Sequence, residues 1–370
     1  MKTILSNNKT PITFISVFLV AIVIMLLSSF GRVGREYVAN EVDTLKGLKD
    51  FYKDYFPIGV AVAPNNLVGE QAEMIKKNFN SLTPENVMKP ALIHPAENKY
   101  FWDDADKIVE FAQANGMKVR GHTLCWHGQT GAWMFKDSIG KQVTKEVALA
   151  RLKDHITQVV SRYKGKVYAW DVLNEAVVDD NDSSKVYRDS PWYKICGEEF
   201  IAKAFQWAHE ADPKAVLFYN DYNTEVPVKR DKIYNMLKKL LKAGVPVNAI
   251  GLQGHWHTDD PSEQNLRDAI DKFSSLGLKV QITEFDVTIY TSKTDTINIG
   301  FTPEREQKQI DFYKMAFKVL REKKDLITGV TFWNVSDRRS WLDRPNKKSY
   351  PLLFDENLKP KKAYWEVVKF

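Results

Sequence analysis

Only two cysteines occur among 370 residues, so no disulfide framework can hold this chain together and its stability has to come from a packed core. Cys125 falls in an apparent strand and Cys196 in an apparent helix; both read as free packing residues, because nothing in the sequence brings their sulfurs within bonding range. No glycine-rich phosphate loop follows the first strand candidate, which removes the main support for a nucleotide-binding open sheet. There is also no basic run and no interleaving of basic and aromatic residues. The net charge of +6 arises from 53 basic and 47 acidic residues spread along the chain, a pattern that excludes a nucleic-acid partner. Low-complexity tracts and a second domain are absent.

One long apolar run is present, Ile12 to Leu27, preceded by Lys2 and Lys9 and followed by the small-x-small site Ser29-Phe30-Gly31. This reads as an export signal, either a cleaved signal peptide or a retained signal anchor, over residues 1–30. The first cysteine after it is Cys125, which excludes lipid attachment at the end of the run. The expected location is therefore secreted or periplasmic, with membrane anchoring by residues 12–27 if the segment is kept. Residues 31–370 then form a single catalytic domain, with a linker and first helix up to about residue 50.

From residue 56 onward, short β-rich runs alternate with longer segments of helical period. The strand candidates are Phe56–Val62, Asn78–Thr83, Met117–Leu124, Val167–Glu175, Ala215–Asn220, Ala249–His255, Lys279–Glu284 and Ile327–Trp333. Between them, Asp103–Asn115, Lys145–Tyr163, Glu198–Glu210 and Arg305–Lys323 repeat apolar residues every three to four positions, as helices covering a sheet do. Eight such units close most economically into a (β/α)8 TIM barrel, an α/β fold whose active sites lie at the C-terminal ends of the strands. Polar and aromatic residues gather at those ends: Glu85-Asn86, His122, Trp126-His127, Asn174-Glu175, Asn220-Asp221-Tyr222, Gln253, His255, Glu284 and Trp333.

Two of these ends carry glutamates, Glu175 after Trp170-Asp-Val-Leu-Asn and Glu284 after Val280-Gln-Ile-Thr. A glutamate at a strand end is often merely solvated. A pair flanking one bond, however, can hydrolyse a glycosidic linkage without metal or cofactor, one giving a proton and the other attacking carbon. The two must then sit in different electrostatic settings. His255, on a neighbouring strand end, is placed to keep Glu284 ionised as nucleophile, while Glu175, beside Trp170 and Trp126, is expected to be the less solvated general acid/base. Trp333 and Trp341 offer faces for sugar rings, whereas Trp102, Trp207 and Trp365 read as packing residues. A rival reading joins His255 and His257 with His122 and His127 in a metal site; the glutamate pair makes a metal unnecessary.

The motifs Thr83–Lys89, Gly121–His127, Trp170–Glu175, Gly251–His255, Ile282–Asp286 and Pro351–Asp355, in this order, resemble the endo-β-1,4-xylanases of glycoside hydrolase family 10 from about residue 45 to the C-terminus. The resemblance implies a retaining barrel that cuts xylan internally, with Glu175 matching the acid/base and Glu284 the nucleophile. It also implies that Glu85, Asn86 and Lys89 grip sugar hydroxyls upstream of the cut, and that His122, Trp126, Asn174 and Gln253 surround the cleaved ring. His255 matches the partner of the nucleophile and Tyr222 a downstream stacking residue; Trp333 and Trp341 match the wall that crowds a hydroxymethyl-bearing ring. The implied partner is xylan or xylo-oligosaccharide, handled by a monomer without cofactor. The chain departs from the family's usual pattern at Gly128–Ala132, at Phe285 and at Asn334. An endo-β-1,4-glucanase, a mixed-specificity enzyme and a catalytically silent carbohydrate-binding barrel are the competing readings.

Overall fold

A computed structural model describes residues 45–291 and 300–370. The export segment, the 31–44 linker and residues 292–299 lie outside the described residues. The described residues form one compact unit.

Among the described residues nine parallel strands build the sheet: β1 (Ile58–Val62), β2 (Ser81–Pro84), β3 (Lys118–Trp126), β4 (Ala169–Asn174), β5 (Val216–Asp221), β6 (Ala249–Leu252), β7 (His255–His257), β8 (Lys279–Thr288) and β9 (Ile327–Phe332). Their order is β6-β5-β4-β3-β2-β1-β9-β8-β7, and β6 also pairs with β8, which closes the ring. Eight strands therefore make the barrel. The three-residue β7 prolongs the β6 end outward, pairing His255, Trp256 and His257 with Asp286, Val287 and Thr288. All eight strand candidates of the sequence reading fall on barrel strands.

The strands are buried on both faces, as parallel strands covered by helices are. Three of the covering helices begin where a side chain satisfies a free N–H group. Thr144 accepts from Val147 N ahead of Lys145–Arg162, Ser262 from Asn265 N ahead of Glu263–Ser274, and Thr302 from Arg305 N ahead of Pro303–Glu322. Glu263–Ser274 buries Leu266, Ala269, Ile270 and Phe273, a three-and-four spacing along one face. Each large apolar side chain so buried contributes about 1.5–3 kcal/mol.

Trp170 does not sit beside Glu175 as the sequence reading expected. It is fully buried and turned toward Tyr163, 6.3 Å between ring centroids. Its ring also lies so close to Gly121 that a Cβ there would be 2.1 Å from the indole. The period of two along β4 explains this, since Trp170 and Asp171 must face opposite sides. Asp171 takes the inner side, where it meets Arg120 and His122 of β3. Phe285, an unusual residue for its motif, stacks on Phe332 at 5.5 Å and lies among Trp256, Tyr313 and Phe317. Cys125 and Cys196 are both free and buried.

Candidate active site

The C-terminal strand ends open into a cleft of about 600 Å³ lined by Glu85, Asn86, Lys89, His122, Trp126, Gln129, Asn174, Glu175, Tyr222, Asn223, Gln253, His255, Glu284, Trp333 and Trp341. Every site residue singled out from sequence is in this lining; Gln129 and Asn223 are additions. Both additions adopt positive φ, 43° and 51°, in the left-handed region that side-chain-bearing residues seldom occupy. Gln129 lies two residues past the motif Gly121–His127, and Asn223 directly follows the strand-end cluster Asn220-Asp221-Tyr222, which is the signal the sequence offers.

Glu284 lies within β8 and is held by two donors. Asn220 Nδ2 reaches its Oε1 at 2.7 Å, and His255 Nε2 lies 3.1 Å from its Oε2. The other nitrogen of His255 faces Asp286 Oδ1 at 3.1 Å, so the imidazole bridges two carboxylates. Burial opposes charge on Glu284, but the His255 hydrogen bond and the charges of His122, His255 and Arg120 outweigh it and hold the carboxyl down at about 2. Burial would likewise lower the His255 pKa, yet Asp286 and Glu284 raise it to about 10. The pair is thus carboxylate and imidazolium across the neutral range.

Glu175 follows β4 with φ 57°, and its backbone N–H donates to Asn220 O at 2.9 Å. That left-handed step turns its side chain into the cleft, and such backbone cost is tolerated where the surroundings fix the conformation. Trp126 Nε1 donates to its Oε2 at 3.0 Å and Gln253 Nε2 to its Oε1 at 2.9 Å. The expectation that Glu175 is the less solvated glutamate is overturned: its side chain is 15% exposed against 6% for Glu284. With Trp170 turned away, the mouth of the cleft stays open beside Glu175, while Glu284 lies on the barrel floor.

The two carboxylates are joined through amides. Asn220 Nδ2 also approaches Asn174 Oδ1 at 2.9 Å, while the Asn220 oxygen accepts from Thr283 Oγ1 at 2.6 Å. Reversing the Asn174 amide would set two NH₂ groups face to face, so its oxygen points to Asn220 and its Nδ2 lies 3.4 Å from Glu175 Oε1. Asn220 was noted at its strand end from sequence but not as a site residue. It escaped because its role depends on the register between β4 and β5, where Asn174 pairs with Asn220.

Upstream, Lys89 Nζ donates to Asn86 Oδ1 at 2.9 Å and lies 5.1 Å over the Trp126 ring; burial lowers its pKa against the pull of Glu284, Glu85 and Glu175. Downstream, Arg188 Nη2 donates to Tyr222 Oη at 2.9 Å and its Nε to Glu175 O at 3.0 Å. Burial, then Arg188, pushes His127 down to about 4, so its 3.8 Å approach to Glu175 is not an ion pair at neutral pH. His257 Nδ1 is engaged with Tyr290 O at 3.1 Å. It and His255 serve different partners, and among the described residues no group of three or more His, Cys, Asp or Glu side chains is arranged to hold a metal ion. Trp333 is buried edge-on to His122 at 5.1 Å, followed by Asn334 at φ 136°. That backbone region favours glycine, the residue usual there in the family.

A closed parallel barrel with two differently partnered carboxylates facing one cleft at its C-terminal rim defines a glycoside hydrolase. Comparison with known proteins narrows the class: the chain belongs to glycosyl hydrolase family 10, whose model matches residues 47–370. It is 51% identical over 356 residues to a beta-1,4-xylanase of Dictyoglomus thermophilum, covering 95% of this chain and 98% of that protein. A crystal structure of a xylanase from Paenibacillus barcinonensis with a conduramine derivative matches with TM-score 0.85 and 44% identity, covering 88% of this chain and 99% of that one. A mutant structure in complex with xylotriose matches with TM-score 0.84 and 42% identity over 88% of this chain and 99% of that one.

Proposed function

We infer that this chain is an endo-β-1,4-xylanase that hydrolyses internal xylosidic bonds with retention, Glu284 acting as nucleophile and Glu175 as acid/base. The observation that carries the assignment is the difference in partners. Glu284 has an imidazolium on one oxygen and an amide donor on the other, which favours the ionised form needed for attack. Glu175 lies nearer solvent, with Trp126 and Gln253 orienting it.

In the first step Glu284 bonds to the anomeric carbon while Glu175 protonates the departing glycosidic oxygen. In the second, Glu175, now a carboxylate, takes a proton from water as that water attacks the same carbon and releases Glu284. His255 supports the negative charge on Glu284 before attack and again as the ester breaks. Glu85, Asn86 and Lys89 supply hydroxyl partners upstream, and Tyr222 a ring face downstream. Trp333 and Trp341 crowd the space a hydroxymethyl group would occupy, a contact difference worth about 1–3 kcal/mol in favour of xylose. The chemistry requires no cofactor.

Incubation of residues 31–370 with β-1,4-xylan and with carboxymethyl-cellulose tests the reading. Short xylo-oligosaccharides of initial β configuration from xylan are expected; cleavage of cellulose alone, or of neither polymer, would contradict it. We also propose export of the chain, supported by Lys2, Lys9 and the run Ile12–Leu27. Cell fractionation with N-terminal sequencing distinguishes a cleaved leader from an anchor.

A further inference from the structure

Arg339 stands at the rim of the cleft without a use in the mechanism above. Its backbone N–H donates to Ser336 O at 3.3 Å, which folds the turn leading to Trp341. Its Nη2 lies 3.9 Å from Glu85 Oε1, with the arginine side chain 63% exposed and the glutamate 7%. At that distance the two charges attract without a hydrogen bond, so the guanidinium keeps its planar fork of donors for another acceptor. The neighbouring cations are committed. Arg338 Nε donates to Glu356 O at 2.9 Å, Lys361 Nζ is buried against Asp337 at 2.8 Å, and Lys89 is sunk between Asn86 and the Trp126 face.

We propose that Arg339 binds the carboxylate of a uronic-acid branch on xylan, making the upstream rim of the cleft a recognition point for acid-decorated substrate. This rests on the xylanase reading. The neutral backbone of xylan presents hydroxyls, which Glu85, Asn86 and Lys89 can meet from the cleft floor; an exposed guanidinium at the mouth matches instead a planar carboxylate arriving from the solvent side. Glu85 opposes an incoming anion. Glu85 is only 7% exposed against 63% for Arg339, however, so a branch arriving from solvent meets the guanidinium first.

The test compares three soluble substrates with one backbone: linear xylohexaose, the same oligosaccharide with one glucuronosyl branch, and its carboxyl-reduced counterpart. For the unmodified enzyme, kcat/KM on the acidic substrate is expected to exceed that on the reduced one by roughly three- to tenfold, a preference that shrinks with added salt as exposed charges do. Arg339→Gln should bring this ratio to about one, and Arg339→Lys should keep part of it. Turnover of xylohexaose reports that each variant is folded. An acidic-to-reduced ratio near one in the unmodified enzyme, or one that Arg339→Gln leaves unchanged, overturns the proposal. Failure of the unmodified enzyme on xylohexaose itself would instead overturn the xylanase reading.

Discussion

The indole nitrogen of Trp341 donates to Asp286 Oδ2 at 2.8 Å, and the other oxygen of Asp286 faces His255, which in turn holds Glu284. A wall residue is thereby tied to the nucleophile through a buried carboxylate and a half-buried imidazole. Trp341→Phe keeps a ring face but removes the donor. Hydrogen bonds to charged groups are worth about 1.5–3 kcal/mol, part of which water recovers at this half-exposed side chain, so kcat/KM on xylan should fall about three- to tenfold. Steady-state kinetics check this; full activity in the Phe variant would reduce Trp341 to a stacking face.

His255 sets the acid side of the pH profile. The Glu284 pKa is depressed from 4.5 to about 2, so its contribution to stability is present above the unfolded value and lost as pH falls from about 4.5 toward 2. The His255 pKa is raised from 6.5 to about 10, so its contribution is complete below the unfolded value and lost as pH rises through about 10. The two shifts share the His255–Glu284 contact, but Asp286 contributes more to the rise on His255 and His122 and Arg120 add to the fall on Glu284; each unit corresponds to about 1.4 kcal/mol. His255→Asn should move the acid limb of kcat/KM upward by about one unit or more. An acid limb that stays in place would contradict the pairing.

The two glutamates should fail differently. Glu284→Ala is expected to abolish turnover of every substrate. Glu175→Ala should lose on the order of 10²–10⁴-fold on xylan, the usual worth of general acid–base catalysis, and far less on an aryl xyloside whose leaving group needs no proton. Added azide should restore turnover in the second variant, giving a β-xylosyl azide. Equal loss on xylan and on the activated aryl xyloside, with no azide rescue, would overturn the Glu175 assignment.

Asn334 combines φ 136° with a buried Nδ2 that has no partner among the described residues. Backbone strain of this kind costs on the order of 1–3 kcal/mol, while glycine gives back about 0.5–1 kcal/mol through the unfolded chain. Asn334→Gly should therefore raise Tm by a degree or two, and Asn334→Ala should not; differential scanning calorimetry on both variants decides it.

The barrel was legible because each of its strands is a short apolar run ended by polar residues, and because helix period separates them. Side-chain direction was less legible. A β run states that alternate residues face opposite sides, but not which set faces in, so Trp170 was assigned to the cleft when Asp171 holds the inward position. The relative solvation of Glu175 and Glu284 failed for the same reason. Glu284 could be paired with His255 from sequence because both lie at adjacent strand ends. The bridge through Asn220 required the register of β4 on β5, and the link from Trp341 to Asp286 required the path of a long loop that no periodicity describes. Lysine-rich helices such as Pro227–Lys242 did not stand out either, because their lysine stems cover apolar surface while their charges dilute the pattern.

In the proposed mechanism Glu284 forms a covalent bond to sugar while Glu175 manages the proton. Incubation of the enzyme with a 2-deoxy-2-fluoro-xylobioside bearing an activated leaving group, followed by intact-protein and peptide mass spectrometry, tests it directly. One added fluoroxylobiosyl group is expected, located on Glu284 and released on transfer to a xylo-oligosaccharide acceptor. An adduct on any other residue, or time-dependent turnover with no adduct, would contradict it.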